Sequence, residues 1–456
     1  MLSSAGPEHL VYTEGVRGSN PLAPTSIIKI YKMNYKILTG FIILCIIVIG
    51  VYFFKFSQIK NSKEAEYEPE IEVNNVNNIV DANNRFCLDY YSQLKDKEKN
   101  NIFFSPFSIS SAFAMVYEGA NGDTAKEMQS VFYFPQDKNV IRKEYQAILD
   151  ELNKTNKQYE LNSANALWVN REYQFSKDYF NIIDEYYNGK VANLDFSNSL
   201  DNSVNTINKW IEDHTNNKIN NSISSSDINS STSLVLTNAI YFKGNWDKQF
   251  NKSNTQKDDF RISKDEVEKV DMMHMTDKDS IFNYFENDDI QILEMPYSGN
   301  ELSALFLLPK DNDLSSLENI ISVNKLSEWR NSLLKQRVDV YIPKFKFETR
   351  YSMASDLNKM GMQIAFSDLA DFSGMSASNT ADLKIDQAIH QAFIEINEEG
   401  TEAAAATSVI MMPTSVMPQE DIIPIFKADH PFIFIIQQKD NGNILFIGRV
   451  INPKIE

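Results

Sequence analysis

The stretch Glu398-Glu-Gly-Thr-Glu-Ala-Ala-Ala-Ala-Thr407, which continues as SVIMMPTSVMPQEDIIP to Pro424, decides how this chain is read. Four alanines beside glutamates favour helix, so in isolation the string reads as an exposed helix start. Its surroundings argue otherwise. The strand-like alternation of residues 388–397 runs directly into it through Gly400, and the continuation is interrupted by Pro413, Pro418 and Pro424. A proline-broken segment of about thirty residues between two strands is functional or disordered, because ordinary connections are far shorter. Tiny side chains at the base of such a loop suit a base that must slip between other strands, where they meet little steric conflict.

Working outward, residues 79–456 show no linker, internal repeat or low-complexity break. Ile79, Phe86, Tyr90 and Leu94 fall at helical spacing, with Cys87 alongside as a core residue. Helical patterns also occupy residues 101–129, 141–153, 177–187 and 200–214. Residues 234–242 are almost continuously apolar, the pattern of a strand covered on both faces. Residues 304–308, 338–342, 432–436 and 444–447 are further strand candidates. Helices come mainly early and strands mainly late, so the expected architecture is α+β with large mixed or antiparallel sheets.

Composition excludes several functions. The 456 residues carry 44 Lys+Arg against 62 Asp+Glu, a net charge of −18, which argues against a nucleic-acid partner. Cys45 and Cys87 cannot make a disulfide framework or a cysteine-rich zinc site, and the five histidines are scattered with no HExxH or CxxC. No GxSxG elbow, Walker loop or GxGxxG after a strand is present, so neither enzyme chemistry nor a cofactor or metal is expected.

The N-terminal segment is a separate physical object. Residues 37–54, ILTGFIILCIIVIGVYFF, carry no charge and are flanked by Lys36 and Lys55. As a helix they would span roughly 27 Å, near the thickness of a bilayer core. No small-residue cleavage site comes after them, so residues 33–60 are expected to be an uncleaved signal-anchor, with secretion after cleavage as the alternative. Residues 61–78, with Glu64, Glu66, Glu68, Glu70 and Glu72 and then an Asn-rich stretch, read as an acidic solvated tether. Residues 1–32 fit none of this, and Met33 is the expected start of translation.

Four strings then bear a family resemblance. Asn101-Ile-Phe-Phe-Ser-Pro-Phe-Ser-Ile109, Thr237-Asn-Ala-Ile-Tyr-Phe-Lys-Gly-Asn-Trp246, the opening stretch 398–407 and Phe426-Lys-Ala-Asp-His-Pro-Phe432 occur in the order found in serpins. Residues 80–456 closely resemble that family of metastable inhibitors of serine, sometimes cysteine, proteases. The resemblance implies a large central sheet, two smaller sheets, about eight or nine helices and an exposed reactive-centre loop. It implies suicide inhibition: the protease attacks a loop bond, forms an acyl-enzyme, and is dragged away as the cleaved loop inserts into the central sheet. A non-inhibitory serpin serving as a binding or chaperone-like module is the alternative.

The resemblance also assigns residues. Glu398, Glu399, Gly400, Thr401, Glu402, Ala403, Ala404, Ala405, Ala406 and Thr407 form the loop hinge. Residues 400–414 would supply the inserting strand, roughly 50 Å long. Thr401, Ala403 and Ala405 are expected to face the core, and Glu402 the less buried side. Counting along the family pattern places the reactive bond between Thr414 and Ser415, with Met411–Met412 as another possibility. An elastase- or subtilisin-like target is favoured. Ser105, Ser108, Asn238 and His390 resemble the polar cluster where the sheet opens, the shutter. Trp246, Lys344 and Glu398 resemble the breach, where insertion begins, with Lys344–Glu398 expected as an exposed ion pair of about 0–1 kcal/mol. Arg142, Lys143, Lys154 and Lys157 are mixed with Glu144, Asp150 and Glu151, so polysaccharide activation is not expected. The chain is expected to be a monomer held at the outer face of a membrane.

Overall fold

Leu234–Asn245 is nearly continuous in apolar residues because both of its faces are covered. Leu234, Leu236, Ile240 and Phe242 enter the main core, while Val235, Ala239 and Tyr241 pack on a second cluster with Val204, Ile207 and Ile211 of helix Leu200–His214. This strand anchors a six-stranded mixed sheet. Its strands are β1 (Tyr159–Asn170), β2 (Lys190–Leu194), β3 (Leu234–Asn245), β4 (Phe345–Ser352), β5 (Ile385–Ile396) and β6 (Gly400–Thr401), in the spatial order β4-β5-β6-β3-β1-β2.

The computed structural model describes residues 76–154, 157–378, 383–401 and 423–454. Among them are nine α-helices and three sheets, an α+β fold as expected. The seven-stranded sheet is antiparallel throughout and includes Leu302–Pro309, Phe432–Gln438 and Ile444–Val450. A four-stranded sheet contains Ile425–Lys427, Asp339–Pro343, Val267–Met275 and Gln256–Arg261. The chain divides between Asn74 and Asn75, and the expected extension, the signal-anchor and all but residues 76–78 of the tether lie outside the described residues. Among the described residues, no helix is long and apolar enough to cross a membrane.

Helices Lys177–Tyr187 and Leu200–His214 form where their patterns place them. The continuous helix expected over residues 101–129 does not form. Ile102–Phe104 is a strand paired with Ile447–Arg449, helix Pro106–Gly119 begins after Ser105, and a separate helix spans Gly122–Phe132. Three causes are visible. The Ser105 side chain accepts the Ser108 N–H as an N-cap, Pro106 occupies the first turn, and Ile102-Phe103-Phe104 buries fully when paired as a strand. Every residue of helix Pro106–Gly119 is buried, so it lies beneath the sheet as a central support.

Candidate functional site

At the top of the six-stranded sheet the chain leaves β5 and turns back at once. The Asn397 N–H donates to the Gly400 carbonyl at 2.9 Å, the Gly400 N–H returns to the Asn397 carbonyl at 3.3 Å, and the Asn397 side-chain carbonyl accepts the Glu399 N–H at 3.0 Å. Gly400 and Thr401 then form β6, antiparallel to both neighbours, with Gly400 opposite Asn245, and Thr401 opposite Gly244 on β3 and Ile396 on β5. The first two residues of the expected inserting strand, residues 400–414, therefore already lie in the sheet of the uncleaved chain. A Cβ on Gly400 would sit 2.0 Å from the Gly244 carbonyl oxygen, so only glycine permits this approach.

Thr401 is 1% exposed, as the expectation of a core-facing side chain requires. Its hydroxyl shares a 2.6 Å hydrogen bond with that of Tyr297, which stacks on Trp246 with ring centroids 4.6 Å apart. Burial pushes the Tyr297 hydroxyl pKa up, so it stays neutral. The Trp246 indole N–H donates to the Asn397 carbonyl at 3.1 Å, and its backbone N–H to the Glu399 carbonyl at 2.8 Å.

Glu398 corrects the expectation of an exposed pair. It is only 4% exposed, with one carboxylate oxygen 2.9 Å from the Lys344 ammonium and the other accepting from the Thr255 hydroxyl at 2.7 Å. Burial pushes its carboxyl pKa up, but the hydrogen bonds from Lys344 and Thr255 outweigh burial and hold it below the usual range. Glu399, by contrast, pairs at 2.5 Å with Lys252, whose side chain is 66% exposed. Lys344→Ala is expected to cost about 1–3 kcal/mol near neutral pH, less than a fully buried pair because Lys344 itself is partly solvated. A folded-state pKa below the ordinary 4.5 gives stability that is present above 4.5 and lost as pH falls through the depressed value. Chemical denaturation should therefore show the gap between wild type and Lys344→Ala closing below pH 4.5.

Lower in the same sheet, β3 and β5 pair directly and in parallel, with His390 opposite Asn238. His390 is fully buried. Its Nε2 accepts the Ser105 N–H at 3.2 Å, so the ring proton is on Nδ1 and is donated to the Asn238 side-chain carbonyl at 2.5 Å. Desolvation pulls the His390 pKa down to about 3. The Asn238 amide in turn donates to the Ser108 carbonyl at 3.1 Å and to the Asn165 side-chain carbonyl. Ser108 and Ser163 share a hydroxyl–hydroxyl bond of 2.9 Å.

The structure thus brings together Ser105, Ser108, Asn238 and His390 in one cluster, and Trp246, Lys344 and Glu398 in another. Sequence reasoning does not find Asn165, Ser163, Tyr297, Thr255 and Lys252, since only strand register and loop packing carry them into these clusters. Residue 165 opposite Asn238 is a matter of β1–β3 pairing, which no local pattern announces. Glu402, Ala403, Ala404, Ala405, Ala406, Thr407 and the Thr414–Ser415 bond lie outside the described residues.

Comparison with known proteins agrees with this geometry. The family model described as Serpin (serine protease inhibitor) matches residues 81–453. An uncharacterized serpin-like protein of Methanosarcina mazei is 43% identical over 380 residues, covering 82% of this chain and 88% of its own length. Human Serpin B3 is 38% identical, covering 83% of this chain and 100% of its own. The crystal structure of uncleaved ovalbumin superposes with a TM-score of 0.74 at 33% identity, over 82% of this chain and 100% of that one.

Proposed function

Because this chain belongs to the serpin family, we propose that it is an inhibitory serpin, a suicide-substrate inhibitor of serine endopeptidases. The observation that carries this reading is β6: Gly400 and Thr401 already lie between β3 and β5, and after Glu402, expected on the less buried side, the sequence continues with the tiny residues Ala403–Ala406. Insertion needs side chains that add to a filled sheet without displacing its packing, and a threonine with alanines after it meets that need.

The target's serine oxygen attacks the Thr414 carbonyl carbon, the bond to the Ser415 nitrogen breaks, and the new amine departs on the C-terminal segment. Thr414 is left as an ester on the protease. Residues from Glu402 onward then extend β6 down the seam between β3 and β5 and carry the ester-linked protease with them. Small residues near the bond favour elastase- or subtilisin-like targets, and cysteine proteases belong to the same test panel.

Incubating residues 61–456 with such proteases should give a covalent complex that survives SDS. Mass spectrometry of the released C-terminal fragment should find Ser415 as its first residue. Cleavage with no complex, across the panel, would favour the binding or chaperone-like alternative. A first residue other than Ser415 would move the reactive bond, with Met412 the first alternative.

The same proposal places the domain at the outer face of a membrane, supported by the eighteen uncharged residues 37–54. Resistance of the full chain to alkaline extraction from membranes of its native source tests that anchor. Full release would favour secretion after cleavage.

A further inference from the structure

In a chain whose net charge is −18, one cavity near the hinge has a charged lining in which cations outnumber anions four to two. Its volume is about 350 Å³, and its charged lining is Lys257, Lys344, Lys346 and Lys454 against Asp271 and Glu395. The cavity joins the four-stranded sheet, through Lys257 and Asp271, to the upper end of β4 and β5, through Lys346 and Glu395. Lys454 arrives from the end of the chain.

None of the four ammonium groups is committed to the cavity's own carboxylates except Lys257, which lies 2.9 Å from Asp271, both side chains at least half exposed. Lys454 pairs at 2.7 Å with Glu268, also solvated. Lys346 makes no ion pair among the described residues and lies 5.8 Å from the Phe393 ring centroid. Lys344 binds Glu398 on the hinge side. The exposed pairs of Lys257 and Lys454 contribute little and exchange readily, so these two cations, with Lys346, can turn to an incoming anion at small cost. Lys344 turns only by giving up part of its hold on the buried Glu398. The remaining lining, which includes Val270, Phe345 and Pro453, lowers the local dielectric and strengthens what an anion would gain.

We propose that this cavity is a binding site for a small oligoanion carrying several phosphate or sulfate groups, and that the anion shares Lys344 with Glu398. A single charge would gain little from four separated ammonium groups, whereas a chain of two or three anionic groups can span them. The inference goes beyond inhibition, since binding is read directly whether or not the protein traps a protease. Sharing Lys344 makes the site reciprocal with the hinge: whatever draws Lys344 toward the anion loosens its hold on Glu398, and the converse.

The test is calorimetric titration of residues 61–456 with inorganic tripolyphosphate in one arm and sucrose octasulfate in the other, at low ionic strength. Saturable binding of either at one site per chain is expected, weakening as salt is raised. The triple variant Lys257→Gln, Lys346→Gln, Lys454→Gln leaves Lys344–Glu398 in place and is expected to bind about tenfold more weakly. A thermal melt confirms its fold, and these exposed lysines leave the core untouched. Glu398→Gln, which frees Lys344, is expected to tighten binding. Preference for one arm identifies phosphate or sulfate as the natural group. No binding in either arm, or binding undiminished in the triple variant, overturns the site. An affinity unaltered by Glu398→Gln overturns its coupling to the hinge.

Discussion

Under the proposed inhibitory mechanism, Thr401→Arg is expected to turn this protein from an inhibitor into a substrate that is cut and released. Thr401 lies between β3 and β5 with its hydroxyl on Tyr297, and an arginine there would have to leave the sheet or bury its charge without a partner. The cost of that burial is several kcal/mol, about 3–5 by analogy with a buried pair deprived of one partner. Ejecting the head of β6 removes the point from which the rest of the hinge would extend. Two readings check the outcome. On SDS gels with an elastase-like protease the covalent complex should vanish while cleaved protein accumulates. After cleavage the wild type should melt at a higher temperature than before, and the variant should not. If Thr401→Arg formed the complex at the wild-type yield, insertion through β6 would be abandoned as the mechanism.

The second large effect is on pH. The neutral His390 ring is fixed by a donor, the Ser105 N–H, aimed at its Nε2, so a proton on that nitrogen would face another hydrogen in a dry site. A folded-state pKa of about 3 against an ordinary 6.5 means that below pH 6.5 the unfolded chain binds a proton which the fold refuses. Stability is therefore whole above 6.5 and is lost progressively as pH falls toward 3. At pH 5 the loss from this group is about 2 kcal/mol, a figure that depends only on the folded pKa lying well below 5. Because the ring joins β3 to β5, the loss should appear as easier opening of that seam. Denaturation of wild type and His390→Gln at pH 7 and pH 5 isolates the term. Wild type should lose about 2 kcal/mol more than the variant over that interval. Equal losses would show that His390 has a solvated route the buried geometry does not admit.

Much of this site could be read in the sequence, but unevenly. Residues 398–407 announced themselves through alanines set among glutamates, ahead of prolines and directly after a strand, and Thr401 faces the core as expected. Helices Lys177–Tyr187 and Leu200–His214 were legible end to end because each is amphipathic and lies on the outside of a sheet or helix. Residues 102–104 were not, because their strand exists only through pairing with residues 447–449, some 340 positions away. Tertiary pairing there overrides a local helical pattern. The ion pair of Lys344 and Glu398 came from family resemblance, yet its burial could not, since Thr255 and Phe250, which close over Glu398, belong to a distant loop. Tyr297 escaped for the same reason. It comes just after the strand Ile290–Pro296 in an unremarkable turn, and only the stack on Trp246 brings it to the hinge.

The parallel seam between β3 and β5 has one more consequence. It holds eight residue pairs, from Leu234 opposite Ile385 to Tyr241 opposite Phe393. A loop that fills it exchanges one parallel ladder for two antiparallel ones, each position gaining backbone bonds worth about 0.5–1.5 kcal/mol net, and parallel pairing is the weaker of the two kinds. Summed over the eight pairs of the seam, the exchange would favour the filled sheet by roughly 4–12 kcal/mol, which strongly disfavours return. Each chain can then act once. Under the proposed mechanism, inhibition would be a titration in which the number of molecules present, and not a turnover rate, sets how much protease is neutralised. A plot of residual protease activity against added protein would be a straight line with a sharp break, and the position of that break would count functional molecules.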